Sequence, residues 1–218
     1  MPTNLSAQPP AIKSLIEQLL STPSVSCTQD EIDQSNLPVI ELLADWLGSM
    51  GFQCEIQNIE GQPGKANLIA TIGSGNNGLV LAGHTDTVPL DEALWHVDPF
   101  SATEKDDRLY GLGSCDMKSF FAIIIEALKT IDLNKLKQPI IILATADEET
   151  SMSGAKAIAR HAGKLGINNA RFAIIGEPTD MRPVRMHKGM LMEAIRLTGQ
   201  AGHSSNPAHG NNALEAMH

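Results

Sequence analysis

Cysteine is scarce in this sequence of 218 residues, which contains only Cys27, Cys54 and Cys115. An odd number cannot pair completely within one chain, and their wide spacing does not resemble a zinc knuckle. Reduced thiols without a structural role are usual in a cytosolic chain, and we expect all three to be of this kind. Cys115 adjoins Asp116, but no adjacent base marks it as a nucleophile.

Long apolar runs and basic clusters are also missing. No run approaches the ~20 apolar residues of a membrane span, and residues 1–10 lack the basic and apolar regions of a signal peptide. We therefore expect a cytosolic protein that makes no contact with a membrane. Acidic side chains outnumber basic ones 25 to 16, and no Lys/Arg cluster offsets the formal charge of −9. A phosphate backbone would be repelled, so nucleic acid is not an expected partner.

Two widespread hydrolase signatures are absent too. No G-x-S-x-G elbow and no H-E-x-x-H sequence occur, so serine-hydrolase and zincin chemistry lack their signatures. Gly111 and Gly113 lack the third glycine of a dinucleotide-binding fingerprint. Hydrophobic residues make up 42% of the sequence, which is enough for a sizeable core. The length fits one large domain, or one domain and part of a second.

Apolar periodicity predicts an α/β domain. Helical stripes come first, at 12–20 and 37–50, followed by strand-like segments at 52–59, 66–72, 79–82, 140–144 and 172–175, with helix candidates at 117–130 and 153–163. The last three strand segments are continuous apolar runs, which are typical of strands buried on both faces. Strands that alternate with helices predict a mostly parallel sheet flanked by helices.

The pattern changes after residue 182. Residues 190–199 alternate like a half-exposed strand, and a helix start is predicted at 211–217 after a polar loop. We expect residues 1–182 to form an incomplete catalytic domain, whose C-terminal return segment is absent. Residues 183–218 would begin a truncated α+β lid or dimerisation domain. The absence of any helix stop signal before His218 favours a fragment.

Polar side chains follow three of the predicted strands directly. The groups that can bind a cation are His84 and Asp86 after the first, Glu148 and Glu149 after the second, and Glu177 after the third. Ligands of open α/β sheets bind beyond the carboxyl ends of the strands, so these side chains converge if the strands are neighbours. Asp116 comes after the turn at Gly111 and Gly113, at the start of the helix predicted from Met117, and this position is also next to a strand end.

Charge then argues for metal. Five carboxylates would share this cleft, and Lys118 is the only cation in the motifs that carry them. Like charges away from water are costly unless they are protonated or compensated. Two divalent cations would relieve most of that cost, and imidazole with carboxylate suits zinc, with cobalt or manganese as alternatives. Two metals about 3.5–4 Å apart can share a carboxylate and activate a bridging water.

Five motifs occur in order along the sequence. They are GHTDTVP (83–89), YGLGSCDMK (110–118), ATADEETSMSG (144–154), IGEPT (175–179) and GHSSNPAHGNNALEAM (202–217). Together they cover almost the whole chain and resemble the aminoacylase/carboxypeptidase family of dinuclear metallohydrolases. The resemblance implies a zinc-peptidase-like catalytic domain followed by a lid domain that forms a homodimer in the full-length protein.

The resemblance also implies the metal ligands. His84 and Glu177 would bind one ion, Asp116 would bridge, and Glu149 would bind the second ion. The implied cofactors are two divalent ions, with zinc first and cobalt as an alternative. The second ion's final histidine comes, in the family, from a segment beyond residue 218, so this stretch holds one nearly complete site and one deficient site.

Three further residues receive catalytic roles from the same resemblance. Glu148 matches the general base that takes a proton from the bridging water and later delivers it to the leaving amine. Asp86 matches the carboxylate that orients His84 through its other ring nitrogen. His203 resembles the lid-domain histidine that reaches a neighbouring subunit's active site and stabilises the oxyanion.

Simpler roles exist for each of these residues. His84 could be satisfied by a nearby carbonyl, Asp116 could cap the following helix, and Glu177 could be an ordinary loop acid. Glu148 and Glu149 could favour the N-terminal end of the next helix through its dipole. His203, in a Gly/Ser-rich loop, could be merely exposed.

The implied activity is hydrolysis of an N-acyl amide on a small amino acid. The strings W-x-x-D-P-F (95–100) and PVRMHKG (183–189) resemble members of this family that act on N2-acetyl-L-ornithine. This resemblance implies cleavage of that substrate to L-ornithine and acetate in arginine biosynthesis. Alternatives within the family are succinyl-diaminopimelate desuccinylase, aminoacylase and dipeptidase. An alternative of another class is an inactive fragment that binds metal or a partner, although an intact Glu148 argues against it for the parent protein. We expect this stretch alone to be inactive.

Overall fold

The computed structural model describes residues 8–163, 167–186, 188–189 and 193–217, with the backbone only at residues 168 and 216. Contacts divide the chain into two units, Met1–Asp180 and Met181–His218. Two sequence features extend outside the described residues: His187 belongs to the PVRMHKG motif, and residues 190–192 belong to the strand predicted after it. The predicted division into catalytic and lid domains stays a prediction.

The described residues of the first unit form four α-helices and seven strands. In chain order they are α1 (Ile12–Leu20), α2 (Leu37–Ser49), β1 (Gln53–Asn58), β2 (Ala66–Ile72), β3 (Leu79–His84), β4 (Thr103–Lys105), β5 (Arg108–Tyr110), α3 (Ser119–Leu128), β6 (Ile140–Thr145), α4 (Ser153–His161) and β7 (Phe172–Ile175). Short 3-10 turns lie at Glu92–Leu94, Leu133–Lys135 and Ile167–Asn169. No helix in the described part of the chain is both long and apolar enough to cross a bilayer.

The main sheet has the strand order β1-β2-β6-β3-β7. β6, β3 and β7 are mutually parallel, whereas β1 and β2 run antiparallel to their neighbours. The prediction of an α/β sheet flanked by helices is confirmed, and the sheet is mixed in direction. β4 and β5 form a separate antiparallel hairpin.

The core lies on both faces of this sheet, as the side-chain alternation of β6 shows. Ile140, Ile142 and Ala144 pack into the larger cluster together with α1, α2 and α3. Ile141 and Leu143 point the other way and pack against Ile158 of α4. A continuous apolar run is therefore needed in β6 because each face of the strand is covered by helices.

The continuous apolar run of β7 is much less buried than the sequence predicted. Phe172, Ile174 and Ile175 are 59%, 51% and 64% exposed, although their sequence predicted a strand buried on both faces. β7 pairs with β3 on one side and forms the edge of the sheet, where its side chains have few neighbours. The apolar pattern identified the strand correctly but overestimated its burial.

Two predictions for the second unit are wrong within its described residues. Residues 193–199 form no strand, and 211–217 contain a single 3-10 turn, Glu215–Met217, instead of the start of an α-helix. The ordered pairing in this unit is one antiparallel bridge between Gln200 and Asn211. An alternating sequence forms a stable strand only with partner strands to pair with, and none is present here among the described residues.

Candidate metal centre

Three parallel neighbours of the sheet end at the same edge. His84 is the last residue of β3, the central strand of the three. Glu148 and Glu149 follow β6 on one side, and Glu177 follows β7 on the other. The chain order alone scatters these residues over 94 positions, and the parallel pairing brings them to one edge.

The imidazole of His84 is 2% exposed and has two different surroundings. Nδ1 lies 2.9 Å from the backbone oxygen of Asp86. Since a carbonyl oxygen only accepts, Nδ1 donates its proton there. Nε2 faces the other way, 3.0 Å from Asp116 Oδ1 and 3.9 Å from Glu177 Oε1. This orientation presents Nε2 to a cation shared with two carboxylates.

The carboxylate of Asp86 is 1% exposed and holds the neighbouring loop. Its Oδ1 accepts a hydrogen bond from the backbone N–H of Glu148 at 3.2 Å, and its Oδ2 accepts one from Glu149 at 3.1 Å. Asp86 Oδ1 lies 3.6 Å from Nδ1 of His84, farther than the carbonyl of the same residue. Asp86 therefore orients His84 through its main chain and the two glutamates through its side chain.

Two glycines let the segment that carries Asp116 cross the strand ends. Gly83 and Gly176 directly precede His84 and Glu177. A Cβ built on Gly176 would collide with the ring of Phe120, and one on Gly83 would meet Met117 and the same ring. Close approach of backbone to side chain is a common reason for glycine at such positions. The peptide bond between Asp116 and Met117 is cis.

Among the residues that the structure describes, the potential ligand atoms form two groups of three. We call His84, Asp116 and Glu177 the Asp116 group, and His84, Glu148 and Glu149 the Glu149 group. Within each group the ligand atoms lie within 4.8 Å of one another. Every metal ligand and the base predicted from the sequence thus belongs to one group or the other, and His84 belongs to both.

Electrostatics at the centre favour added positive charge. The pKa of Glu149 is raised to about 7, first by burial and then by the carboxylates of Asp116, Glu148 and Asp86, against the opposing effect of His84. Burial also raises the pKa of Asp86. Burial lowers the pKa of His84, but its three neighbouring carboxylates outweigh this and the net shift is upward. A cluster with these shifts binds protons when no other cation neutralises it.

The donor set fits a divalent cation. The buried imidazole at the end of β3 lies near carboxylates that follow β6 and β7 and near Asp116, and imidazole with carboxylate is ligand chemistry that suits zinc. Asp116 and Glu177 keep 50% and 37% of their side chains exposed, so an ion could enter from solvent.

His203, the remaining predicted site residue, belongs to the second unit. Its side chain is exposed, and Nδ1 lies 2.7 Å from the hydroxyl of Ser205. The contact is local and stabilises the turn that contains both residues. The role assigned to His203 by resemblance stays a prediction.

Sequence reasoning gave no role to two buried lysines beside the centre. Lys65 forms ion pairs with Asp33 and Asp147, and Lys118 donates from Nζ to the backbone oxygen of Thr22 at 2.7 Å. Burial lowers the pKa of Lys118 to about 7.

An α/β sheet with imidazole and carboxylates at the ends of its parallel strands is typical of metal-dependent hydrolases. Residues 80–211 match peptidase family M20/M25/M40, and the chain belongs to this family. It is 56% identical over 209 residues to acetylornithine deacetylase of Proteus mirabilis strain HI4320, a match that covers 96% of this chain and 53% of that protein. The chain therefore spans about half the length of this relative.

Solved structures give the same fold. Human carnosine dipeptidase 1 superposes with a TM-score of 0.66 at 19% identity, covering 75% of this chain and 38% of the human protein. The M20 family metallo-carboxypeptidase Sso-CP2 from Sulfolobus solfataricus superposes with a TM-score of 0.61 at 25% identity, covering 77% and 37%. The central sheet with its flanking helices is thus the fold of M20 catalytic domains.

Proposed function

We propose that the full-length protein containing this chain hydrolyses N2-acetyl-L-ornithine to L-ornithine and acetate with the help of divalent metal ions. The observation that carries the proposal is the 56% identity, across nearly the whole chain, to a protein that bears the name acetylornithine deacetylase. The cytosolic, arginine-biosynthetic setting and the homodimer implied by the sequence belong to the same proposal.

The side chains divide the work between holding metal and moving a proton. His84, Asp116 and Glu177 would hold one ion, and Glu149 would hold a second ion together with Asp116. Zinc is the proposed metal, with cobalt as a substitute. When bound, divalent ions at these positions would polarise the amide carbonyl and lower the pKa of water.

Glu148 is the proposed general base. Its carboxylate lies within 4.8 Å of a ligand atom of His84, and its backbone is held by Asp86. In the reaction it accepts a proton from the attacking water and donates it to the amine as the carbon–nitrogen bond breaks. Water supplies one carboxylate oxygen of acetate, and its two protons end on the amine of ornithine, which leaves as an ammonium group.

Glu148→Gln tests this assignment. The amide is nearly the same size as the carboxylate but cannot accept the proton at neutral pH, so kcat of the full-length protein should fall about 10²- to 10⁴-fold. Zinc binding, measured by calorimetry, should be largely retained. Unchanged turnover would overturn the role of Glu148.

Substrate choice is tested separately. The full-length protein should be assayed on N2-acetyl-L-ornithine and on N-succinyl-L,L-diaminopimelate side by side. We expect the higher kcat/KM for the acetylated substrate. A preference for the succinylated substrate would contradict the proposed substrate while leaving metal-dependent amide hydrolysis in place.

A further inference from the structure

Lys65 is a buried cation next to the loop that carries the two glutamates. It directly precedes β2, and its side chain is 6% exposed. Nζ lies 2.7 Å from Asp33 Oδ1 and 3.1 Å from Asp147 Oδ1. Burial of a charged ammonium group is costly unless the group is paired, and removing one partner leaves an uncompensated charge.

Asp147, the inner partner of Lys65, anchors the loop after β6. Its side chain is 5% exposed, and its carboxylate also accepts hydrogen bonds from Ser26 Oγ at 2.9 Å and from Ser153 Oγ at 3.0 Å. Its backbone has a φ of 58°, and its carbonyl accepts a hydrogen bond from the N–H of Met152 at 2.6 Å. A left-handed residue other than glycine persists where its surroundings fix it, and here the fixed carboxylate does so.

The loop is therefore held from two different strands. Asp86, two residues beyond β3, accepts from the amides of Glu148 and Glu149. Lys65, one residue before β2, fixes the carboxylate of Asp147. Because β2 and β3 pair with β6 on opposite sides, these two contacts constrain the loop from both sides.

We propose that Lys65 is a positioning residue, which fixes Glu148 and Glu149 through its ion pair with Asp147. The inference rests on the proposed hydrolysis for its effect on rate, because Glu148 is the base there. Lys65 does not contact either glutamate. Its effect is to keep Asp147 in the conformation from which the next two residues project toward His84.

Lys65→Met in the full-length protein is the primary test. Loss of a residue that orients metal ligands typically lowers activity about 10- to 100-fold, and we expect kcat to fall within this range with little change in KM. Lys65→Arg should recover most of the loss because arginine can pair with the same two carboxylates. Lys13→Met is the matched control. Lys13 forms an exposed ion pair with Glu104 at 2.7 Å, and its loss should leave kcat unchanged.

A second variant separates positioning from simple charge compensation. Lys65→Met leaves Asp147 buried without its cation and could unfold the protein. Lys65→Met combined with Asp147→Asn removes both charges and should regain stability, while kcat stays low because the loop is still not held. Recovery of kcat to the wild-type value in this double variant would overturn the proposal.

Hydrogen exchange gives a readout that does not depend on turnover. In Lys65→Met, the amides of Glu148 and Glu149 should exchange faster, while the β1–β2 ladder at Ile56 and Leu68 keeps its wild-type rate. Equal acceleration at both places would indicate general destabilisation and contradict a positioning role. If the wild-type protein hydrolysed no N-acyl amino acid, the proposed function would fail, and the exchange experiment would still decide the role of Lys65.

Discussion

The Asp116 group and the Glu149 group look alike but depend differently on their shared histidine. The Asp116 group has two carboxylates on the solvent-facing side of Nε2, at 3.0 and 3.9 Å. The Glu149 group has two carboxylates on adjacent residues and approaches the same imidazole. Because Nδ1 already donates to a carbonyl, the ring has one lone pair to give, and it can bind one metal ion.

The comparison shows that two groups of closely spaced ligand atoms are not enough to form two metal sites. When His84 binds an ion in the Asp116 group, that group offers one imidazole and two carboxylates. This number equals the three protein ligands of a catalytic zinc site. The Glu149 group then retains carboxylates alone. We infer that the residues described here form one strong cation site and one weak site.

Removing the shared imidazole should have the largest effect. In this chain, His84→Ala should weaken zinc binding by about 100-fold or more. This loss is larger than the loss of affinity that is typical when a residue that only orients ligands is removed. Glu149→Gln should leave the tight site within a few-fold of the wild-type affinity. Calorimetric titration with Zn²⁺ of both variants measures the contrast. Two equally tight sites in the unaltered chain would break the comparison.

A smaller effect is expected from the glycine before Glu177. Gly176→Ala places a methyl group into the ring of Phe120, and overpacking of this kind costs about 1–3 kcal/mol. For a chain of this size, that corresponds to a fall in Tm of about 2–4 °C per kcal/mol, with weaker zinc binding by the Asp116 group.

Gly48→Ala is the matched control for that substitution. A Cβ at Gly48 meets nothing within 4 Å, and the residue lies in α2, where alanine is more stable than glycine by about 0.5–1 kcal/mol. Tm should therefore rise slightly. A similar fall in Tm for both variants would show that the Phe120 contact is unimportant.

The smallest expected effect is the dependence of stability on pH in the metal-free chain. The pKa of Glu149 in the folded state, about 7, exceeds its ordinary value of 4.5, so folding favours its protonated form. Its contribution to stability is complete below pH 4.5 and is lost as the pH rises through 7. The raised pKa of His84 acts in the same direction above its ordinary value of 6.5.

Thermal unfolding with a chelator present, between pH 4.5 and 7.5 at constant ionic strength, measures this dependence. Tm of the metal-free chain should fall as the pH rises, and the fall should be smaller in Glu149→Gln. Saturating zinc should reduce the fall as well, because a cation then replaces the proton. An identical fall in wild type and variant would exclude Glu149 as its source.

The strands that end at the candidate metal centre could be predicted because the apolar pattern of each strand lies within a few consecutive residues. The runs before His84, Glu148 and Glu177 are apolar enough to identify three strands, and the rule that ligands gather at strand ends then brings the residues together. β6 and β7 have similar sequences but different burial, and this difference depends on strand order, which no local pattern encodes.

The contacts that hold the centre were harder to predict because they join distant residues. Lys65 and Asp147 are separated by 82 positions and meet because β2 and β6 are neighbours. Nothing in either local sequence names the partner. In the second unit, alternation at 190–199 predicted a strand, and the described part, 193–199, forms none. Alternation shows only that a strand would be amphipathic, and pairing requires a partner.

The hydrogen bonds from Asp86 reach main-chain amides, so they do not depend on which side chains stand at positions 148 and 149. Any residue with an N–H can be held there in the same way, and proline is the one amino acid that cannot. The chemistry of these positions can therefore be exchanged without altering their placement. That independence makes the loop a suitable place to engineer a different ligand or a different base on an unchanged backbone.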